Sequence, residues 1–195
     1  RVVSRDVIIE QMKAHADTPL RRTLYESYRL VIDNNKDESQ VNALLDFITK
    51  GPADHPEEWG SVFSNLLRSY VIDGEYDKVE ETVSRFRDMI QGLDENTHSL
   101  ILNELLVSYM DNQNNEMIKE TAEEMLTLVE KHREHLSLGA EFNAYNGRAI
   151  AYRRVKEHEQ ALEYFNKGLE IAQRLDNQRL VAIVSTNTGS STSTA

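Results

Sequence analysis

Four tyrosines, Tyr28, Tyr70, Tyr109 and Tyr152, stand 42, 39 and 43 residues apart, and each closes an apolar run of helical period. The runs are Leu24 to Tyr28, Leu66 to Tyr70, Leu105 to Tyr109 and Arg148 to Tyr152. After each tyrosine comes a short polar turn, clearest in Asp73-Gly74-Glu75-Tyr76-Asp77 and Val155-Lys156-Glu157-His158-Glu159, and then a second amphipathic stretch. A chain that repeats its apolar pattern at such a step builds one helical hairpin several times over. No single hairpin can bury its own stripe, so neighbours have to stack.

The period within each unit is that of a helix. Val79, Val83, Phe86 and Ile90 recur at steps of four, three and four, as do Ile118, Ala122, Met125 and Val129, and Ala161, Phe165, Leu169 and Ala172. No segment alternates over strand length. The three prolines, Pro19, Pro52 and Pro56, all lie in the first third. Breakers fall at Gly51-Pro52, Asp73-Gly74, Gly92, Asn112 to Asn115, Gly139 and Asp176-Asn177. This punctuation predicts an all-α chain of nine or ten helices, each of roughly 12 to 19 residues.

The residues of one unit carry a family resemblance. Ala144-Tyr145-Asn146-Gly147-Arg148-Ala149-Ile150-Ala151-Tyr152, followed by Gln160-Ala161-Leu162-Glu163-Tyr164-Phe165-Asn166-Lys167-Gly168-Leu169, resembles the tetratricopeptide repeat. Ala149 and Ala161 match its small contact residues, and Tyr152 and Phe165 its aromatic packing positions. The unit from Phe63 to Ile90 is similar, through Leu66, Tyr70, the Gly74 turn, Tyr76 and Phe86. The sequence departs from the family at Leu67 and Leu106 in first helices and at Val79 and Ile118 in second helices, where small residues are usual. Arg148 replaces an apolar residue, and the step near forty implies longer helices.

The resemblance implies a right-handed superhelical stack, an α-solenoid. Residues 1–17 would form a leading helix, 18–177 four hairpins, 178–189 a partial fifth repeat and 190–195 a Ser/Thr tail without an apolar face. The tail reads as a frayed terminus or an introduced boundary, and the chain as a piece of something longer. The long step resembles the divergent arrays of bacterial signalling and regulatory proteins. That implies a sensor or scaffold portion whose output, a diguanylate cyclase, a histidine kinase or a DNA-binding domain, lies elsewhere on the parent chain.

Charge narrows the partners. Against 22 Lys+Arg stand 33 Asp+Glu, a formal charge of −11. Residues 57–97 hold 4 basic and 10 acidic side chains, and 98–140 hold 3 and 8, so the excess lies in the middle. Nucleic-acid binding draws its affinity from clustered cations on phosphate, so this balance argues against it. No apolar run reaches the roughly 18 residues of a membrane span. Without cysteine there is no disulfide framework and no thiol chemistry.

No catalytic constellation emerges. There is no phosphate-binding glycine loop, nucleophile elbow or His-Glu-x-x-His pattern. Glu130, His132, Glu134 and His135 read as a solvated helix end, not a metal site, because no further ligand completes them. Glu80-Glu81 and Glu123-Glu124 read as solvated faces, and His15, His55, His98 and His158 as isolated residues near helix ends. Neither an enzyme nor a cofactor is expected.

A binding role is better motivated. In a stack of hairpins the non-core residues of the first helices form a groove. Those residues are Arg22, Glu26 and Arg29 in the first unit, Asn65 and Arg68 in the second, Asn103 in the third, and Asn143, Asn146 and Arg153 in the fourth. Asparagine pairs donor and acceptor with a peptide amide, and arginine holds a carboxylate with two bonds. This composition suits a protein or peptide ligand. The family's carboxylate clamp does not transfer, because Ile150, Gly147 and Glu104 occupy places where it would want Lys or Asn. Trp59, after Pro56-Glu57-Glu58, is expected to seal the second hairpin against the first. Arg153, Arg154 and Lys156 form a small basic cluster.

Two other classes compete. An oligomerisation module would use the strip around Leu162 and Leu169 on the last full hairpin, through a homodimer or a swapped terminal helix. An enzyme with a helical fold would work through Glu130 or His132. A cytoplasmic location is preferred, the alternative being the extracytoplasmic portion of a membrane-anchored signalling protein.

Overall fold

The computed structural model of the protein describes residues 4–33 and 36–192. Every regular element among them is a helix: α1 (Arg5–Ala14), α2 (Pro19–Ile32), α3 (Glu38–Thr49), α4 (Pro56–Ile72), α5 (Tyr76–Arg85), α6 (Arg87–Gln91), α7 (Glu95–Asp111), α8 (Asn115–His132), α9 (Leu138–Arg154), α10 (His158–Arg174) and α11 (Gln178–Thr192). A short 3₁₀ turn, Arg133–His135, follows α8. The protein is all-α, and its helices form tetratricopeptide-like hairpins.

The helix starts follow local chemistry. Pro19 opens α2 and Pro56 opens α4, where a missing N–H costs nothing. Side chains of Thr18, Asp37, Asp94, Asn114 and Ser137 accept from backbone amides in the first turns they precede. Glu57 and Glu58 lie at the positive end of α4.

Three expectations need correction. Eleven α-helices replace nine or ten, because the stretch from Tyr76 to Gln91 divides at Phe86. There the Thr82 hydroxyl donates back to the Lys78 carbonyl at 2.6 Å, a bond that bends a helix. Thr82 is buried where Val83 was expected to be, and Phe86 turns its ring edge-on to Phe63 at 6.0 Å. Gly139 is no breaker; it sits in the first turn of α9, and the break lies upstream at Ser137. The Ser/Thr-rich end continues α11 as far as Thr192, and residues 193–195 of the expected tail lie outside the described residues, as do 1–3 of the leading segment.

The chain divides into two compact units, residues 1–93 and 94–195. In the first, α2 packs on α4, and α3 also lies against α4. Trp59 is fully buried, stacks on Phe63 at 5.0 Å, and donates its indole N–H to the Ile48 carbonyl of α3 at 2.9 Å. It thereby seals one hairpin to the next, as the sequence led us to expect. Val62, Leu66, Leu67 and Val79 complete that core.

In the second unit α7 packs on α8, α8 on α9, α9 on α10 and α10 on α11. The stripe Ile118, Ala122, Met125 and Val129 is wholly buried, and so are Ala149, Ala161 and Phe165. Leu106 is accommodated by a gap on its neighbour. A Cβ on Gly147 of α9 would come within 2.7 Å of Leu106 Cδ2, so the small residue stands on the next helix instead. Val184 of α11 is buried, and Gly168 of α10 and Phe142 of α9 lie close together beneath it. Arg148, in its apolar position, lays its guanidinium over the Tyr152 ring and donates to Glu123 at 2.9 Å and to the Tyr152 hydroxyl at 3.1 Å.

Candidate partner-binding surfaces

In the first unit the candidate residues stand on α2 and α4. Arg22 is exposed and Glu26 half-buried; both line a cavity of about 440 Å³ with Pro19, Gln40, Ala43 and Leu44. Gln40 donates to Glu26 at 2.8 Å, so that carboxylate is already engaged. Arg29 bonds to Asp33 at 2.8 Å, and this contact holds its guanidinium more firmly protonated. Asn65 reaches from α4 to the Ser27 hydroxyl of α2 at 3.2 Å and so ties two first helices together. Arg68 is exposed on α4. The unit thus gathers Arg22 and Glu26 into one pocket, while Arg29 and Asn65 serve intramolecular contacts.

A second cavity in this unit, about 650 Å³, was not foreseen from sequence. Lys36, in the segment before α3, places its ammonium 2.6 Å from Asp73, 2.5 Å from Glu75 and 3.1 Å from the Ser69 carbonyl, above the Tyr70 ring. Lys78 also bonds Glu75. These bonds, the Lys36 one foremost, hold the Glu75 carboxyl below its usual range, whereas burial pushes the Tyr70 phenol up. The arrangement clamps the α2–α3 connection onto the α4–α5 turn. Only its position beside a polar turn could have hinted at Lys36.

In the second unit the register of the first helices is set by two contacts. Gly147 faces Leu106, and Arg154 donates to the Met110 carbonyl at 3.4 Å and to Asn115 Oδ1 at 3.4 Å. Asn103 is half-buried on α7, with exposed Leu100 and Val107 three before and four after it on the same helix face, and half-buried Met110 beyond. This stripe was not singled out from sequence, because an exposed Leu or Val has the same helical period as a buried one. On α9, Asn143, Asn146 and Arg153 are half-buried. Asn187 of α11 donates to Asn146 Oδ1 at 3.4 Å, and Arg153 Nη1 lies 3.5 Å from the Asn187 carbonyl. Asn103, Asn146 and Asn187 are 43 and 41 residues apart, so the same step places an asparagine on each successive first helix. Asn187 could have been found by extending that step.

Elsewhere in the unit several polar side chains pair with one another. Tyr152 stacks on Tyr164 at 5.7 Å, Lys167 lies over Tyr164, and Arg133 donates to the Tyr145 hydroxyl at 3.0 Å. Their carboxylate partners are Glu163 for Lys167 and Glu141 for Arg133. His132 pairs with Glu95 at 3.4 Å, and the His135 carbonyl accepts from Asn96 at 2.7 Å. No group of three or more His, Cys, Asp or Glu among the described residues could hold a metal ion. No helix among them is long and apolar enough to cross a membrane.

Residues 142–175, from the second turn of α9 to the residue that caps α10, match the family model described as tetratricopeptide repeat. Tyr145, Ala149, Tyr152, Ala161 and Phe165 all fall inside that match. Comparison with curated proteins and with solved structures gives no significant match.

Proposed function

We propose that this tetratricopeptide-repeat chain is a non-catalytic binding domain that holds a peptide or protein segment against its first helices, as the sensor or scaffold portion of a larger bacterial signalling protein. One observation carries the reading. In the second unit the repeat step sets Asn103 and Asn146 on successive first helices, and the exposed apolar pair Leu100 and Val107 shares the helix face of Asn103. Side-chain amides at a regular step suit the amide groups of an extended or helical ligand, and apolar neighbours supply the area that hydrogen bonds alone do not.

The test is capture from a random peptide library by the wild-type chain, followed by affinity measurement on Asn103→Ala and Asn146→Ala. Each variant is expected to weaken binding by about 0.5–1.5 kcal/mol, the net worth of a neutral hydrogen bond. Unchanged affinity in both variants removes this residue set. Self-association is the lesser reading, since α11 already covers part of the last hairpin and buries Val184 there, although Leu162 stays exposed. A monomer at all concentrations in light scattering removes it.

A further inference from the structure

We propose that the Arg153 guanidinium, with the Asn146 amide beside it, is a seat for a carboxylate of the bound segment, and that Asn187 of α11 holds this seat until the segment displaces it. The inference rests on the binding reading above and names the chemistry of its ligand. Arg153 is half-buried in an acidic chain, yet among the described residues no carboxylate lies within ion-pair reach of it. Of the other part-buried cations on α9, Arg148 is matched by Glu123, and Arg154 spends its donors on the Met110 carbonyl and Asn115. Burial together with Arg154 makes the charge on Arg153 harder to keep. Its surroundings are the Phe165 ring, 5.7 Å from Cζ, and a single long contact of 3.5 Å to the Asn187 carbonyl.

A guanidinium has five donors in a planar fork, and one marginal bond to a neutral carbonyl leaves most of them unspent. A partly desolvated cation without a counter-charge is costly, and a carboxylate bound by the fork removes that cost. Arg154 does not compete, since it reaches the Met110 carbonyl and Asn115. Asn146 stands two turns before Arg153 on α9, and its Oδ1 is taken by Asn187 at 3.4 Å. Asn187 therefore contacts both groups that a ligand carboxylate and its neighbouring amide would use. Leu100 and Val107 on α7 ask for apolar side chains in the same segment. The expected ligand is an acidic, apolar stretch of a partner protein.

The probes are short peptides selected by the wild-type chain from a random library, each remade with Asn and Gln in place of Asp and Glu. Selection is expected to enrich acids, and the neutral remakes to bind about tenfold more weakly. Arg153→Gln should erase that difference by weakening the acidic form alone, and added salt should do the same to the wild type. Asn187→Ala should tighten the acidic peptides about twofold. Amide hydrogen exchange in α11 should quicken when peptide binds. Peptides that bind equally in both forms, or an α11 whose exchange stays the same or slows, would overturn the proposal and leave the binding reading standing. A library that yields no ligand overturns both.

Discussion

The backbone amide of Glu75 donates to the Tyr70 carbonyl at 2.8 Å, and the same bond runs from Asn114 to Tyr109 at 2.9 Å and from Glu157 to Tyr152 at 3.0 Å. Three of the four repeated tyrosines thus serve twice. Their rings pack, and their carbonyls accept the six-residue bond that closes a Schellman turn. The residue between must be left-handed. It is Gly74 in the first case, with φ 70°, but Gln113 and Lys156 in the others, with φ 56° and 64°.

A side chain at positive φ carries a penalty that glycine escapes. Gln113→Gly and Lys156→Gly are each expected to stabilise the second unit by about 0.5–1 kcal/mol, while Gly74→Ala destabilises the first by about 1 kcal/mol or more. Urea unfolding followed by circular dichroism reads both signs. A loss of stability in either glycine variant would show that the lost side chain matters more than the backbone.

Trp59 is the only tryptophan and is fully buried. Trp59→Phe should cost about 2–4 kcal/mol, because it opens a void and removes one of the two donors on the Ile48 carbonyl, the other being the Gly51 amide. The wild-type emission should be blue-shifted in the folded chain and move red on unfolding, which makes it a reporter for the first unit.

Lys36→Met should destabilise the first unit by about 1–3 kcal/mol, as Asp73 and Glu75 lose the ammonium between them. Acid distinguishes this from a packing loss. The folded Glu75 carboxyl titrates lower than in the unfolded chain, so its contribution is complete above the ordinary carboxylate range and disappears as pH falls through its folded value. The gap between wild type and Lys36→Met, read by Trp59 fluorescence in urea, should shrink as the solution is acidified. A gap independent of pH would assign the effect to packing.

Gly147 and Leu106 should be energetically coupled. Gly147→Ala brings a methyl group against Leu106 Cδ2 and is expected to destabilise the second unit despite alanine's better helix propensity. In a Leu106→Ala background the added methyl meets a gap, and the same substitution should become neutral or stabilising. A double-mutant cycle with a coupling of about 0.5–3 kcal/mol would record this, and additive effects would refute it.

Much of the fold was legible because helix formation is largely local. Apolar residues at steps of three and four, prolines at first turns and glycine or asparagine at ends are read within a few residues. The repeat step carried the hairpins and the role of Trp59, since a stripe that recurs must be covered by its neighbour. The division at Phe86 was hidden: it depends on Thr82 bonding back to Lys78 while Phe86 meets Phe63, and no periodicity records such a choice.

The candidate binding residues divide in the same way. Sequence by itself determined which positions recur on the first helices, and so named Asn103, Asn146 and Arg153, because the repeat step is a property of the chain. Tertiary structure decided which of them are spent. Asn65 is drawn to Ser27, Arg29 to Asp33 and Asn146 to Asn187, while Arg22 stays exposed and Arg153 half-buried beyond the reach of any described carboxylate. Whether a polar side chain is spent depends on what the packing brings within about 3 Å of it, and hydrogen bonds are too short-ranged for sequence spacing to fix that distance.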